Sequence, residues 1–574
     1  MHSSYVDHLF ALARSGRATR RQLLEAGLRL GLASPVILSL LEAAPQPVAA
    51  APAAQTTAPR SGEAAQEVSS GTFVALLTRG AEDIDPHFNY SAVASAVAFA
   101  VYEMLLSLKG ESTDEFEPGL AASWEVSADQ ATYTFHLAPD VLFQDGTLAN
   151  AQAVKDSYTR WIELDGAPVS VITRFCDSPD KMEVVDDLTL RFNLGSPQPL
   201  FLSAMASSYG PMVISPTAIA ENATEDDPYA HEWAMQYAVG SGPYLLESNS
   251  LTDGFVFKRF DDYHRGWAGN HFDELILRVV PEDATRRQLL ERGEADAASQ
   301  NLAVDVVDEL RSNPDVQVIE YPSTNVRWTI MNAPRLQTKE VRQGFSYAFP
   351  YDDVINAVYK GLMTRCGPLP DTVRGYDPNV FLYETDLDKA KQLILAGGFQ
   401  EGDVFEFIVD SNQTTELTVA QLFQANVQQM GFELALTAVD FATIESIVRG
   451  GSPIEERPHF IGSFGWWPDY NDPWNQLAPS FLRSQISDDG SNSGAWVNER
   501  FEELMAQAEH FTSEDELNSL MAEIQNIMTE QDPPAIYSGQ LAGFTVFGKD
   551  IKGFAPNPLY LECFNFYGMY RETP

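Results

Sequence analysis

A chain of 574 residues with 44% hydrophobic content is long enough for about three or four domains with packed cores. Its 37 basic and 81 acidic residues leave a formal charge of −44, which argues against nucleic acid as a partner and disfavours anionic ligands held by charge alone. Cys176, Cys366 and Cys563 lie far apart without metal-ligand spacing, so neither a zinc site nor a disulfide framework is indicated; buried thiols are expected, with one disulfide left open.

Near the N-terminus, Thr19-Arg20-Arg21-Gln22-Leu23-Leu24 precedes an apolar run from Leu30 to Leu41 and an Ala/Pro-rich tract from Ala43 to Ala58. That order resembles a twin-arginine export signal. The run is too short to cross a hydrocarbon core of roughly 30 Å comfortably. No cysteine follows it to carry a lipid anchor. The expectation is export to the periplasm or the outer face of the cell membrane, with residues 1–54 as signal and start of a linker that runs through 55–70.

Beyond the linker, Thr72 to Leu77 reads as a strand, residues 92–108 as an apolar helix, and Thr132 to Leu137 as an alternating strand. Asn150 is placed to cap a helix carrying Val154, Tyr158, Trp161 and Ile162 on one stripe. Strand-like runs continue at Leu188 to Leu194, Phe255 to Phe260 and Leu275 to Val280. After about residue 320, capped amphipathic helices beginning near Thr338, Asp386 and Asp440 alternate with strands Phe405 to Val409 and Glu433 to Val439, the pattern of a parallel α/β sheet. Helices Phe501 to Ala508 and Leu517 to Met528 then lead into a strand-rich tail from Ala535.

The stretch FGWWPDYNDPW, residues 464–474, interrupts this order. Pro468 and Pro473 each remove a backbone donor, so the spacing predicts a loop after strand Phe460 to Phe464, at a strand C-terminal end where α/β sheets bind ligands. Trp466, Trp467 and Tyr470 beside Asp469 and Asp472 suit an amphipathic or cationic solute. The alternative is that the aromatics fill core gaps and the acids cap the next helix.

EPGLAASWE at 117–125, LAPDVLFQDGTLANAQAVKDS at 137–157, GSGPYLL at 240–246, LLERGEADA at 289–297, KEVRQGFSYAF at 339–349 and GWWPDYNDP at 465–473 together resemble the bacterial extracellular solute-binding family that includes oligopeptide-, dipeptide- and nickel-binding proteins. The resemblance covers nearly everything after residue 70. It implies an α/β, two-lobed clamshell with an extra subdomain in the first lobe, serving an ATP-driven (ABC) importer as a monomeric solute carrier without a cofactor. The chain then divides into a first lobe at 71–320 with a subdomain at about 111–200, a second lobe at 321–534, and a return segment at 535–574.

From the same resemblance, Asp469 pairs with a ligand α-amino group, Trp466 lines a side-chain pocket with Trp467 and Tyr470 beside it, and Tyr537 is a further cleft aromatic. Asn89, in the segment Asp85 to Tyr90, and Asn412 complete the expected ligand-binding set. Two departures stand out: DSNQTTELT after strand Phe405 to Val409 lacks the arginine that holds a dipeptide carboxylate, and Ala138 replaces a usual basic residue. A peptide-like solute leads, with an oligosaccharide stacked on the tryptophans as the alternative and a secreted glycosidase using Asp469 and Asp472 behind it. No nucleophile elbow, zinc-protease motif or Walker loop supports an enzyme, and no resident metal is expected.

Overall fold

The computed structural model describes residues 71–299, 302–449, 452–486, 490–560 and 563–572; the twin-arginine stretch and the linker lie outside them. Strand Thr72–Leu77 alternates its side chains between two cores. Phe73, Ala75 and Leu77 pack with Ala96, Val97 and Val101 of helix Ala92–Val101, while Val74 and Leu76 join a cluster on the opposite face. This strand is central in a seven-stranded sheet, parallel to Glu274–Val279 and Ala297–Ala298. Strand Gly543–Gly548 enters the same sheet antiparallel between Ala297–Ala298 and Val316–Tyr321. The helix expected over 92–108 ends at Val101, and Gly242 explains the tight passage there: a Cβ on it would lie 2.6 Å from the Val101 carbonyl carbon.

A four-stranded antiparallel sheet, built from Ala121–Val126, Thr132–Leu137, Thr189–Asn193 and Met182–Asp186, forms the subdomain. Helix Ala151–Leu164 covers it, started by the Asn150 side chain accepting from the Ala153 amide at 2.9 Å. Its Val154, Tyr158 and Trp161 share a buried core with Phe135 and Phe192.

The second lobe holds a six-stranded sheet in the order Met363–Thr364, Ala535–Leu541, Val326–Met331, Phe460–Trp466, Val404–Asp410, Glu433–Val439. Val404–Asp410 is parallel to its two neighbours, as helical crossovers such as Thr414–Gln429 require. Val326–Met331 instead runs antiparallel to both Phe460–Trp466 and Ala535–Leu541, so the sheet is mixed rather than wholly parallel. Val326–Met331 leaves the first sheet and Ala535–Leu541 heads back toward it, which sets their opposite directions. Ala535–Leu541 therefore belongs to the second sheet, and the return to the first begins at Gly543 rather than 535. The two crossings, 321–326 and 541–543, are tied together: the Leu541 amide donates to Asn325 O at 2.9 Å and Gln540 Nε2 to Ser323 O at 2.8 Å.

Candidate functional site

Strand Phe460–Trp466 carries the aromatic stretch farther than expected, so Trp466 is its last residue and the loop proper is 467–472. Ser463 sits at φ 65°, where the register against Val326–Met331 shifts between Trp328 and Ile330. Such a bulge sharpens the local twist and re-aims the strand end. The loop closes on helix Pro473–Phe481, with Pro473 at its first turn and Asp472 as cap, accepting from the Trp474 amide at 3.0 Å.

Asp472 has a second bond that fixes its role. Arg174, directly after the short helix Ser170–Thr173 of the subdomain, donates to the Asp472 carboxylate and, at 2.9 Å, to the Tyr470 hydroxyl. Its guanidinium carbon lies 4.5 Å from the Trp474 ring centroid. Asn471 adds a bond from Nδ2 to Thr113 Oγ1 at 2.8 Å. The loop is thus held between the second lobe and chain segments inserted in the first. The Asp472 carboxylate is thus occupied by a cap and an ion pair.

Asp469 has no such partner. It is 5% exposed; Asn475 Nδ2 donates to its Oδ2 at 2.9 Å, while Oδ1 is buried without a hydrogen bond. Burial drives its carboxyl from the ordinary 3.8 up to about 7; the Asn475 bond pulls against this and the Asp472 charge adds to it. Gln476 Oε1 nearby is likewise a buried acceptor without a donor. Trp466 and Trp467 are half-buried, and Trp466 Nε1 is fixed by donation to Asn475 O at 3.0 Å. Tyr470 is 2% exposed and packs on Phe175, with ring centroids 5.9 Å apart.

Beside this loop, Arg327 approaches Gly465 and donates to Glu416 Oε1 through Nε (3.0 Å) and Nη2 (2.7 Å), and to Gln413 Oε1 at 3.2 Å. Its charge is therefore neutralised within the protein. Asn412 is exposed in the turn between strand Val404–Asp410 and helix Thr414–Gln429, its amide held by Asp410 Oδ1 at 2.9 Å.

In the first lobe, Asp85 takes two bonds from Arg160 of the subdomain helix, one at 2.9 Å, and one from His231 Nδ1 at 3.1 Å. Burial opposes its charge, yet His231 and Arg160 hold Asp85 below the ordinary carboxylate range. Burial and Arg160 together push His87 down to about 3, keeping it neutral as Nε2 donates to Met212 O at 2.9 Å. This network fixes the turn at 85–89, in which the half-buried Asn89 leaves Oδ1 without a partner. Tyr537 is 7% exposed in strand Ala535–Leu541, edge-on to Trp328 with centroids 6.2 Å apart. Among the described residues there is no cluster of three metal-ligating side chains, and no helix is long and apolar enough to cross a membrane. The three cysteines are buried.

Sequence reasoning singled out neither Arg174 nor Arg327. Arg174 meets Asp472 across 298 residues, and no local motif announces a contact of that range.

The family model of bacterial extracellular solute-binding proteins, family 5 middle, matches residues 115–488. Over 504 residues the chain is 27% identical to the probable D,D-dipeptide-binding periplasmic protein of Escherichia coli, covering 85% of this chain and 92% of that one. It is 26% identical over 530 residues to heme-binding protein A of Haemophilus influenzae, covering 88% and 93%. Among solved structures, HbpA2 from Haemophilus parasuis superposes with a TM-score of 0.70 at 25% identity, covering 88% of this chain and 100% of that one.

Proposed function

The chain belongs to the bacterial extracellular solute-binding proteins of family 5, and we propose that it captures a peptide-like solute with a free ammonium group between two closing lobes. It hands that solute to the permease of an ABC importer. The observation that carries this reading is Asp469, a buried carboxyl with one unpartnered oxygen at the end of a second-lobe strand. An ammonium brings both the charge and the N–H donors that Asp469 Oδ1 and Gln476 Oε1 lack. Trp466 and Trp467 supply flat apolar faces for the solute's side chains. Since Glu416 already neutralises Arg327, a solute carboxylate meets no free cation there, and the reading favours peptides whose C-terminus is blocked or lies outside the cleft.

The chain works as a monomer outside the cytoplasm, exported by a twin-arginine signal, with no nucleic-acid partner, resident metal or catalytic step. Its relative's D,D-dipeptide ligand supports the peptide class. Calorimetric titration with a panel of peptides, each with and without N-acetylation, tests the reading. Tight binding of free-amine peptides alone, with a smaller radius of gyration in X-ray scattering on saturation, is expected. A Trp466→Ala variant should bind more weakly while its unliganded radius stays that of the wild type. Equal binding of acetylated and free peptides, or an unchanged radius at saturation, rejects it.

A further inference from the structure

Asn475, in the first turn of helix Pro473–Phe481, touches both working parts of the proposed solute site. Its Oδ1 accepts from the Asp469 amide at 2.7 Å, and its Nδ2 donates to Asp469 Oδ2 at 2.9 Å. A backbone N–H can only donate, so it settles which end of the Asn475 side chain faces it and leaves the donor end for the carboxylate. Asn475 O in turn accepts from Trp466 Nε1 at 3.0 Å. Next along the helix, Gln476 Nε2 donates to Trp466 O at 3.4 Å, while its buried Oε1 has no donor. The ionisable groups facing Asp469 are Asp472 and Tyr470 of its own loop, both bonded to Arg174 of the subdomain.

A carboxyl held by one oxygen has the other one aimed. With the Asn475 donor fixed on Oδ2, the proton of the neutral acid belongs on Oδ1, because two hydrogens cannot share the line between Nδ2 and Oδ2. We propose that Asn475 is the positioning residue of the solute site: it reserves Oδ2 for itself and leaves Oδ1 as the one atom at which a proton and the solute's ammonium group exchange. The proton leaves Oδ1 for solvent as the ammonium arrives, and an ammonium N–H then takes the lone pair it vacated. The bond from Asn475 also favours the charged acid and offsets part of what burial does to it. Trp466 is held by the Asn475 backbone, so a change of the Asn475 side chain leaves that bond in place. The role rests on Asp469 as the solute's anchor, but the hold of Asn475 on the acid can be measured with no solute present.

Protein carrying aspartate labelled with carbon-13 at the side-chain carboxyl is titrated by NMR without ligand, the Asp469 signal being the one missing from Asp469→Asn. Its midpoint in the wild type should lie at about 7. Asn475→Leu, similar in size but without a donor, should raise that midpoint by about one pH unit. Asn475→Ser, which keeps a hydroxyl donor in a smaller side chain, should raise it by less. A midpoint unmoved in both variants overturns the proposal. Calorimetry with alanyl-phenylalanine amide then separates positioning from simple support of the fold. Relative to wild type, Asn475→Leu should lose up to about tenfold in affinity at pH 6 and little at pH 9. An equal loss at both pH values overturns the positioning role. A raised midpoint with no binding of the free-amine dipeptide amide by the wild type supports the hold of Asn475 on the acid and counts against the solute reading alone.

Discussion

Replacing Asp469 with Asn separates the cost of the buried acid from its use in binding. Its carboxyl moves from 3.8 to about 7 on folding, chiefly through burial. At about 1.4 kcal/mol for each tenfold change in the proton equilibrium, the ionised form carries a penalty of roughly 4 kcal/mol in the empty protein. Because the folded state holds this proton more tightly than the unfolded chain, the contribution of Asp469 is fully present below pH 3.8 and is lost as pH rises through about 7. The substituted asparagine side chain does not ionise, although its amide puts a donor where an acceptor stood. Ligand-free Asp469→Asn should therefore be more stable than wild type by about 2–4 kcal/mol at pH 8 and no more stable at pH 4. Binding should show the reverse. A cationic peptide that pairs with the carboxylate forces it to ionise, so wild type should release a proton on binding at pH 6 but not at pH 8. Its affinity should fall up to tenfold per pH unit below about 7, with no such dependence in the variant. Urea unfolding across pH 4–8 and calorimetry in buffers of different ionisation enthalpy measure both effects. Parallel stability curves for wild type and Asp469→Asn would refute the argument that burial holds this acid protonated.

Three further outcomes test other parts of the site. Arg174→Ala leaves Asp472 buried without its cation and should cost about 3–5 kcal/mol in denaturant unfolding, with Arg174→Lys intermediate; a cost near that of a surface pair would mean the contact is incidental. Glu416→Gln frees Arg327, so affinity for peptides with a free C-terminal carboxylate should rise about tenfold or more relative to their amides in competition titrations, and an unchanged ratio would place the solute's C-terminus elsewhere. Replacing Arg20 and Arg21 together with lysine should retain the precursor in the cytoplasm on immunoblots of cell fractions, whereas normal export would exclude a twin-arginine signal.

What the sequence made legible were features whose cause lies within a turn or two of chain. The caps Asn150, Thr338 and Asp386 each accept from an amide three residues on, and strand Thr72–Leu77 follows from simple alternation. Longer-range outcomes were not legible in the same way. Residues 102–105, Tyr-Glu-Met-Leu, contain no Gly or Pro to stop a helix, but packing against Gly240 and Gly242 ends the helix at Val101. Strand Ala535–Leu541 has the composition of either sheet, and its place is decided by pairing with Val326–Met331. In the aromatic stretch, the two acids have different surroundings. Asp472 is a cap and an ion-pair partner, while Asp469, three residues earlier, has the unpaired oxygen. Telling them apart required knowing which carboxylate Arg174 reaches.

The paired crossings at 321–326 and 541–543 limit what the rest of the cell can learn from this molecule. Two strands bonded to each other through Asn325, Ser323, Gln540 and Leu541 bend together more easily than they twist or slide. Motion of one lobe on the other is thereby funnelled toward a single angle. Whatever the identity of the solute, its chemistry is compressed into that one coordinate before a membrane partner meets it. Discrimination among solutes has to be completed inside the cleft, because a partner that senses the angle from outside receives a yes or a no. A solute that closes the lobes to the same angle as the intended one would be passed on as if it were correct.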